Sequence, residues 1–204
     1  MEKCNIFVGR FQPVTVGHIK CIKKAYDEDE IPVGAVIVKD GVVVGTVLNN
    51  LALEQKLKSE GRKLLRTPVG DKHICDLMFR KGYNLGGEQS GHYIVYPHST
   101  TGDGIMTAMF LAKSLFQNGT LQKIQKLELV PQKAIAEYAN PSIMYDKWLR
   151  TMIDEAEAEL KNKGRIIVRM SGTEPKIRVM VECSDAKKVE DILSRFKKYI
   201  NSKA

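Results

Sequence analysis

Apolar residues recur along the chain with two spacings, one typical of helices and the other typical of strands. Spacings of three and four residues predict a long helix from about Ser142 and a last helix from about Asp185, capped by Ser184. The apolar stripes of these two helices are Leu149, Met152, Ile153, Ala156 and Leu160, and Val189, Ile192, Leu193, Phe196 and Ile200. Between the helices, RIIVRM and KIRVMVEC predict two strands, so this part of the chain is predicted to be α+β.

The preceding part of the chain predicts short strands that alternate with helices. Two β-branched runs meet at Asp40-Gly41, which predicts a hairpin. One helix is predicted with Asn49 or Asn50 as its cap and another with Asp71 as its cap, with KLLRTPV as a strand between them. A further helix after Asp103 is apolar on most of its faces and is therefore predicted to be buried.

Together these elements predict an α/β fold with a mixed sheet and flanking helices, followed by a small α+β C-terminal domain. We expect three parts. Residues 1–45 form a strand, helix and hairpin that pack on the next domain. Residues 46–125 form the α/β domain, and residues 126–204 form the α+β domain.

The composition of the 204 residues narrows the class of protein. Hydrophobic residues make up 43% of the chain, which is enough for a core. Apolar runs are shorter than the ~18 residues of a membrane span, and MEKCNIFVGR lacks the features of a signal peptide. We therefore expect a cytoplasmic protein without membrane contact. The four cysteines are far apart, so neither a disulfide framework nor a cysteine-rich zinc site is predicted.

The net charge of +8 is unevenly distributed. Residues 1–45 are neutral, so the whole basic excess lies in residues 46–204. Nucleic acid and a small phosphorylated substrate are both candidate partners for such a surface. The sequence shows no zinc finger, helix-turn-helix signature or aromatic RNA-binding motif, which argues against nucleic acid.

The segment SGTEP between the two C-terminal strands has the residues of a phosphate-binding loop. Ser171 and Thr173 offer hydroxyls, and Gly172 allows backbone N–H groups to approach an anion. Arg169 precedes the loop, and Arg178 follows it on the strand face opposite the core. Arginine pairs bidentately with phosphate oxygens. The alternative is an ordinary hairpin with solvated arginines.

The segment GGEQSGH places a carboxylate, a hydroxyl and an imidazole on alternate residues. If the chain is extended here, Glu88, Ser90 and His92 point to the same side. A carboxylate accepts hydrogen bonds from neighbouring hydroxyls, and serine and histidine both donate and accept. The set suits a polyol such as a sugar. The alternative is a polar strand edge with a surface histidine.

Three segments in this order, GYNLGGEQSGH, TTGDG and RMSGTEPKIRVMVE, resemble the C-terminal half of the bacterial phosphoglucosamine mutases, in the α-D-phosphohexomutase family. The resemblance runs from about Thr46 to the end. It implies a sugar-binding α/β domain over 46–125 and a phosphate-binding domain over 126–204, with a hexosamine phosphate as ligand. It implies that Glu88, Ser90 and His92 contact the sugar hydroxyls. The residues implied for the phosphate that is not reacting are Arg169, Ser171, Gly172 and Thr173.

Two loops of that family have no counterpart in the sequence. The family's phosphoserine loop and its aspartate-rich magnesium loop belong to other domains, and neither motif occurs here. Phosphoryl transfer needs a nucleophile and a metal. We therefore predict no catalytic residue, no metal site and no cofactor in this chain, although magnesium serves the intact family. A chain that carries the missing domains is a possible partner, and the isomerase reaction is not expected from this chain alone.

The first 45 residues resemble other enzymes. GRFQPVTVGHI resembles the opening of the nucleotidyltransferases, which implies nucleotide contacts for Thr15, Gly17 and His18. Residues 25–45 resemble the opening of the tRNA adenosine and cytidine deaminases, without the zinc motifs of those enzymes. The chain thus reads as a mosaic with boundaries near residues 23 and 45. A nucleotide-binding module and a non-enzymatic, partner-binding protein are the alternative functions.

Overall fold

The computed structural model describes residues 38–110, 127–161 and 163–203. The chain divides into a first unit, Met1–Glu128, and a second unit, Leu129–Ala204. The predicted N-terminal strand and helix lie outside the described residues, as do Thr15, Gly17 and His18. The strands are β1 (Val42–Thr46), β2 (Lys63–Thr67), β3 (Leu85–Gly87), β4 (Tyr93–Val95), β5 (Gln132–Tyr138), β6 (Gly164–Met170) and β7 (Lys176–Cys183). The α-helices that lie wholly within the described residues are α1 (Leu51–Ser59), α2 (Asp71–Lys81), α3 (Lys147–Leu160) and α4 (Ala186–Asn201).

The first unit contains a mixed four-stranded sheet in the order β2-β1-β3-β4. Strand β1 is parallel to β2 and β3, and β4 is antiparallel to β3. Val43 packs in one apolar cluster with Leu53 and Leu57 of α1, whereas Val44 packs in another with α2. Because successive strand residues point to opposite faces, the two helices cover opposite faces of the sheet. This arrangement confirms the predicted α/β fold.

The Asp40-Gly41 pair forms the tight turn that the sequence predicts. Both residues have positive φ, 56° and 67°, and the Val42 N–H donates to the Lys39 carbonyl. The predicted hairpin is nevertheless wrong at Val44. This residue has a parallel strand on each side, β2 and β3, so it cannot pair with the run before the turn. The run before the turn lies outside the described residues, apart from Val38 at its end.

The residue at the N-cap position determines where each helix of the first unit begins. Asn50 caps α1 as predicted, since its side chain accepts a hydrogen bond from the Ala52 N–H at 3.0 Å. The prediction that Asp71 caps α2 is wrong. Gly70 holds the cap position with φ 125°, and Asp71 is the first residue of the helix, which leaves its carboxylate available for other contacts.

Gly86 sets how closely α2 approaches the sheet. A Cβ at this position would lie 2.6 Å from both the Ile74 Cγ2 and the Met78 Sδ, and 3.1 Å from the Val44 carbonyl oxygen. Ile74, Met78 and Val44 are fully buried. Only glycine fits here, and this close packing fixes β3, which leads directly to Glu88.

The second unit is a three-stranded antiparallel sheet in the order β5-β7-β6 with two helices. The central strand β7 buries Ile177, Val179 and Val181, as its alternation predicts. All five predicted stripe residues of α4 are buried. Of the five in α3, three are buried and the other two pack against the same core. The predicted small α+β unit is therefore confirmed.

Three details of the sequence prediction need correction. Helix α3 begins at Lys147 instead of near Ser142, because Asp146 caps it after a 3₁₀ turn. Asp185, not Ser184, caps α4, since its carboxylate accepts from two N–H groups of the first turn. Residues 104–110 are helical but not buried, and Ile105 is 69% exposed. Within the described residues, no helix is long and apolar enough to cross a membrane.

We expect Gly86→Ala to destabilise the first unit by about 1–3 kcal/mol, because the added methyl group collides with buried atoms of α2. Gly104→Ala is the matched control, since a Cβ at Gly104 meets nothing within 4 Å. Amide exchange of β1 and β3 measures the effect. Equal protection in the two variants would contradict the close packing described here.

Candidate functional site

The motif GGEQSGH forms a tight turn between β3 and β4. The Glu88 N–H donates to the His92 carbonyl at 2.9 Å, and the Gly91 N–H donates to the Glu88 carbonyl at 3.1 Å. Gly91 has φ 98°, a conformation that favours glycine. The prediction that Glu88, Ser90 and His92 lie along an extended strand is therefore wrong, because the chain reverses at Gly91.

The turn nevertheless brings these side chains together. The Ser90 Oγ lies 3.1 Å from the Glu88 Oε2, and the Glu88 Oε1 accepts the Gly70 N–H at 2.8 Å. The His92 Nδ1 lies 3.3 Å from the Asp71 Oδ2. Ser90 and His92 are exposed, whereas Glu88 and Asp71 are half-buried. The result is a solvent-facing group of hydrogen-bond acceptors and donors.

Sequence reasoning missed Asp71 as a member of this group. It treated Asp71 only as a helix cap, although the residue stands next to Gly70 in the segment TPVGDK. The hydrogen bond from Gly70 to Glu88 joins the start of α2 to the turn. A carboxylate at the positive end of a helix dipole is stabilised there, which holds Glu88 in place.

The SGTEP segment forms the loop between β6 and β7. It is closed by backbone hydrogen bonds from the Ser171 N–H to the Lys176 carbonyl and from the Lys176 N–H to the Glu174 carbonyl, both 2.7 Å. Gly172 and Thr173 are exposed and Ser171 is half-buried. A Cβ at Gly172 would meet nothing within 4 Å, so the loop is open on that side.

Arg169 and Arg178 lie directly opposite each other across β6 and β7. Burial, and secondarily the charge of Arg178, lowers the pKa of Arg169. Like charges in such a cross-strand pair repel each other. An anion placed between them would remove this repulsion.

Glu174 and Lys176 complete the charges of the loop, and sequence reasoning did not single out either residue. The Glu174 Oε1 lies 2.8 Å from the Lys176 Nζ, and its Oε2 lies 3.7 Å from the Arg178 Nη2. The hydrogen bond from Lys176 is the main cause that lowers the pKa of Glu174. The Lys176 Nζ also lies 4.6 Å from the centre of the Tyr138 ring. In this structure Glu174 thus neutralises part of the positive charge of the loop.

The fold places this chain in a class of proteins in which an α/β unit is followed by a small α+β unit. The chain belongs to the phosphoglucomutase/phosphomannomutase family. Residues 22–131 match the alpha/beta/alpha domain III of that family, and residues 117–198 match its C-terminal domain.

Curated relatives agree with this assignment. The chain is 42% identical over 159 residues to the phosphoglucosamine mutase of Sphingopyxis alaskensis, covering 76% of this chain and 36% of that protein. It is 46% identical over 164 residues to the phosphoglucosamine mutase of Magnetococcus marinus, covering 78% and 34%. The chain thus spans about a third of the length of the curated relatives it matches.

Solved structures show the same fold at low sequence identity. A structure of Aspergillus fumigatus N-acetylphosphoglucosamine mutase matches 92% of this chain and 41% of its own, with a TM-score of 0.66 and 18% identity. The complex of that enzyme with GlcNAc-6P and magnesium matches 92% and 42%, with a TM-score of 0.64 and 19% identity.

The family match also revises the predicted mosaic. It begins at residue 22, so it includes the whole of the segment, residues 25–45, interpreted as similar to deaminases. The comparisons show neither the deaminase resemblance nor the nucleotidyltransferase resemblance of residues 1–23. The family resemblance therefore starts earlier than Thr46, the position at which the sequence motifs placed it.

The described residues do not suit the magnesium ion of the family. Asp71, Glu88 and His92 are potential metal ligands whose atoms lie within 4.8 Å of one another. Magnesium prefers six oxygen ligands in octahedral geometry and rarely binds a ring nitrogen. One of these three ligands is an imidazole. These three residues are therefore a poor match for magnesium.

We expect Arg178→Gln to leave the free energy of unfolding within about 0.5 kcal/mol of the parent in anion-free buffer. The variant loses a long contact with Glu174 but also the repulsion with Arg169. Ile177→Ala, one residue away in the core, should cost about 2–5 kcal/mol. Urea unfolding followed through the amide signals of β6 and β7 compares the two. A large loss in Arg178→Gln would show that Arg178 stabilises the sheet.

Proposed function

We propose that this chain binds a hexosamine phosphate, as the recognition part of a phosphoglucosamine mutase-like phosphohexomutase. One observation carries the proposal: Glu88, Ser90 and His92 converge on one exposed turn, within reach of Asp71. Carboxylates accept hydrogen bonds from vicinal hydroxyls, and the serine and histidine supply further donors and acceptors. A sugar offers several neighbouring hydroxyls to such a set of groups.

The second unit supplies the phosphate contacts. Arg169 and Arg178 present two guanidinium groups next to the open Ser171–Pro175 loop. Their mutual repulsion favours a bound dianion, and their planar forks match its oxygens. The hydroxyls of Ser171 and Thr173 and the backbone at Gly172 complete the set of donors.

The relatives are named phosphoglucosamine mutases, and such enzymes interconvert glucosamine 6-phosphate and glucosamine 1-phosphate. The 204 residues contain neither a phosphoserine loop nor an aspartate-rich magnesium loop. Transfer of a phosphoryl group needs both a nucleophile and charge neutralisation by a metal. We therefore propose that the chain binds without turnover on its own, and that turnover requires domains of the missing type.

We expect glucosamine 6-phosphate to shift the amide NMR signals of Glu88–His92 and of Arg169–Thr173. Glu88→Gln and Arg169→Ala each remove charged hydrogen bonds, which are worth about 1.5–3 kcal/mol. The Kd should therefore rise roughly tenfold or more in each variant.

Arg195→Ala is the matched control for these variants. Arg195 is an exposed arginine of the second unit that pairs with Glu159 on α3, and its loss should leave the Kd unchanged. If Arg195→Ala and Arg169→Ala raised the Kd equally, the binding would be explained by general attraction to positive charge. Unchanged affinity in both Glu88→Gln and Arg169→Ala would contradict the proposal.

We also expect Glu174→Gln to bind inorganic phosphate several-fold more tightly than the parent. The carboxylate competes with phosphate for Lys176 and Arg178 and repels the dianion. Glu159→Gln, which removes a comparable charge elsewhere in the second unit, is the control. Calorimetric titration with phosphate measures both. Weaker binding in Glu174→Gln would mean that the carboxylate orients the cations instead of competing for them.

A further inference from the structure

We propose that Asp71, Glu88 and His92 form a binding site for a zinc-class divalent ion. The three side chains come from two separate segments, the start of α2 and the turn between β3 and β4. Their ligand atoms lie within 4.8 Å of one another. Two carboxylates and one imidazole, with a fourth position left open, are a ligand set that zinc accepts.

The distance between two of the ligand atoms matches zinc coordination. Bonds of about 2.0–2.1 Å in a tetrahedral site place two neighbouring ligand atoms about 3.3–3.4 Å apart. The His92 Nδ1 and the Asp71 Oδ2 are separated by 3.3 Å. A direct charge-assisted hydrogen bond would be shorter, about 2.7–2.9 Å. The separation of these two atoms therefore suits an ion that both of them coordinate.

Glu88 is the third ligand, and its neighbours already orient it. Its Oε1 accepts the Gly70 N–H, and its Oε2 faces the Ser90 hydroxyl. Hydrogen bonds of this kind fix the orientation of metal-binding carboxylates and strengthen metal binding. The Glu88 ligand oxygen lies within 4.8 Å of the ligand atoms of Asp71 and His92.

The space beside the ligands is kept clear by Gly102. A Cβ at that residue would lie 3.0 Å from both the Asp71 Oδ2 and the His92 Cβ. The His92 side chain is 60% exposed, so an ion can enter from solvent. The open fourth position can hold a water molecule.

Zinc at this site would occupy groups that the proposed function assigns to the sugar. Glu88 and His92 cannot use the same atoms to coordinate an ion and to accept hydrogen bonds from sugar hydroxyls. Zinc should therefore compete with hexosamine phosphate. This consequence rests on the proposed function, whereas zinc binding itself does not.

The test is calorimetric titration of the full chain with zinc chloride. We expect one ion per chain, bound roughly 10–100-fold more weakly in His92→Ala and in Asp71→Asn. His98→Ala is the matched control, because His98 is also exposed but is not one of the three ligands, and it should bind like the parent. Dispersed amide spectra establish that each variant is folded. Equal affinity in the parent, His92→Ala and Asp71→Asn would overturn the proposal.

The absorption spectrum of bound Co²⁺ distinguishes binding at this site from binding to the cysteines. Co²⁺ bound by nitrogen and oxygen in tetrahedral geometry gives intense visible bands, whereas thiolate ligands add a charge-transfer band in the near ultraviolet. We expect the visible bands alone, and their loss in His92→Ala. A thiolate band that persists in His92→Ala would assign the ion to cysteine and overturn the site.

The competition is measured by repeating the glucosamine 6-phosphate titration with zinc present. We expect the apparent Kd for the sugar phosphate to rise with zinc concentration. Zinc binding with an unchanged sugar-phosphate Kd would overturn the competition. Failure of the sugar phosphate to bind the zinc-free protein would instead overturn the proposed function and leave the zinc site standing.

Discussion

The antiparallel register of β6 and β7 is the constraint on which the second unit depends. Strand β7 buries Ile177, Val179 and Val181, so a slip by one residue would move these three side chains out of the core. The same register forces Arg169 and Arg178 to face each other. Core packing thus holds together two positive charges that would otherwise separate, and these charges are the basis of the proposed phosphate site.

In the first unit, glycines determine where the polar side chains lie. Gly86 allows α2 to pack closely on the sheet, and Gly91 reverses the chain after Ser90. These two positions bring Glu88 to the start of α2, where the Gly70 N–H holds its carboxylate. The polar cluster therefore depends on backbone shape as much as on the residue types in the motif.

Periodicity was sufficient to predict the strongly patterned elements. The stripes of α3 and α4 and the alternation of β7 follow from burial on one face, which the sequence records directly. Strand β5 was missed because its residues are at most half-buried, so its sequence carries little apolar pattern. The convergence of Glu88, Ser90 and His92 was predicted, but for the wrong reason, because one glycine at positive φ replaced the expected extended strand with a turn. The part played by Asp71 depends on contacts between segments and is not visible in local sequence.

The central claim is that the chain recognises a hexosamine phosphate and not merely negative charge. The most direct test is a calorimetric comparison of glucosamine 6-phosphate with inorganic phosphate at low and high salt. The account predicts that the sugar phosphate binds more tightly than inorganic phosphate, and that this difference persists at high salt because hydroxyl contacts are not screened. Equal affinities that fall together with salt would contradict it and would leave a basic surface that binds any polyanion.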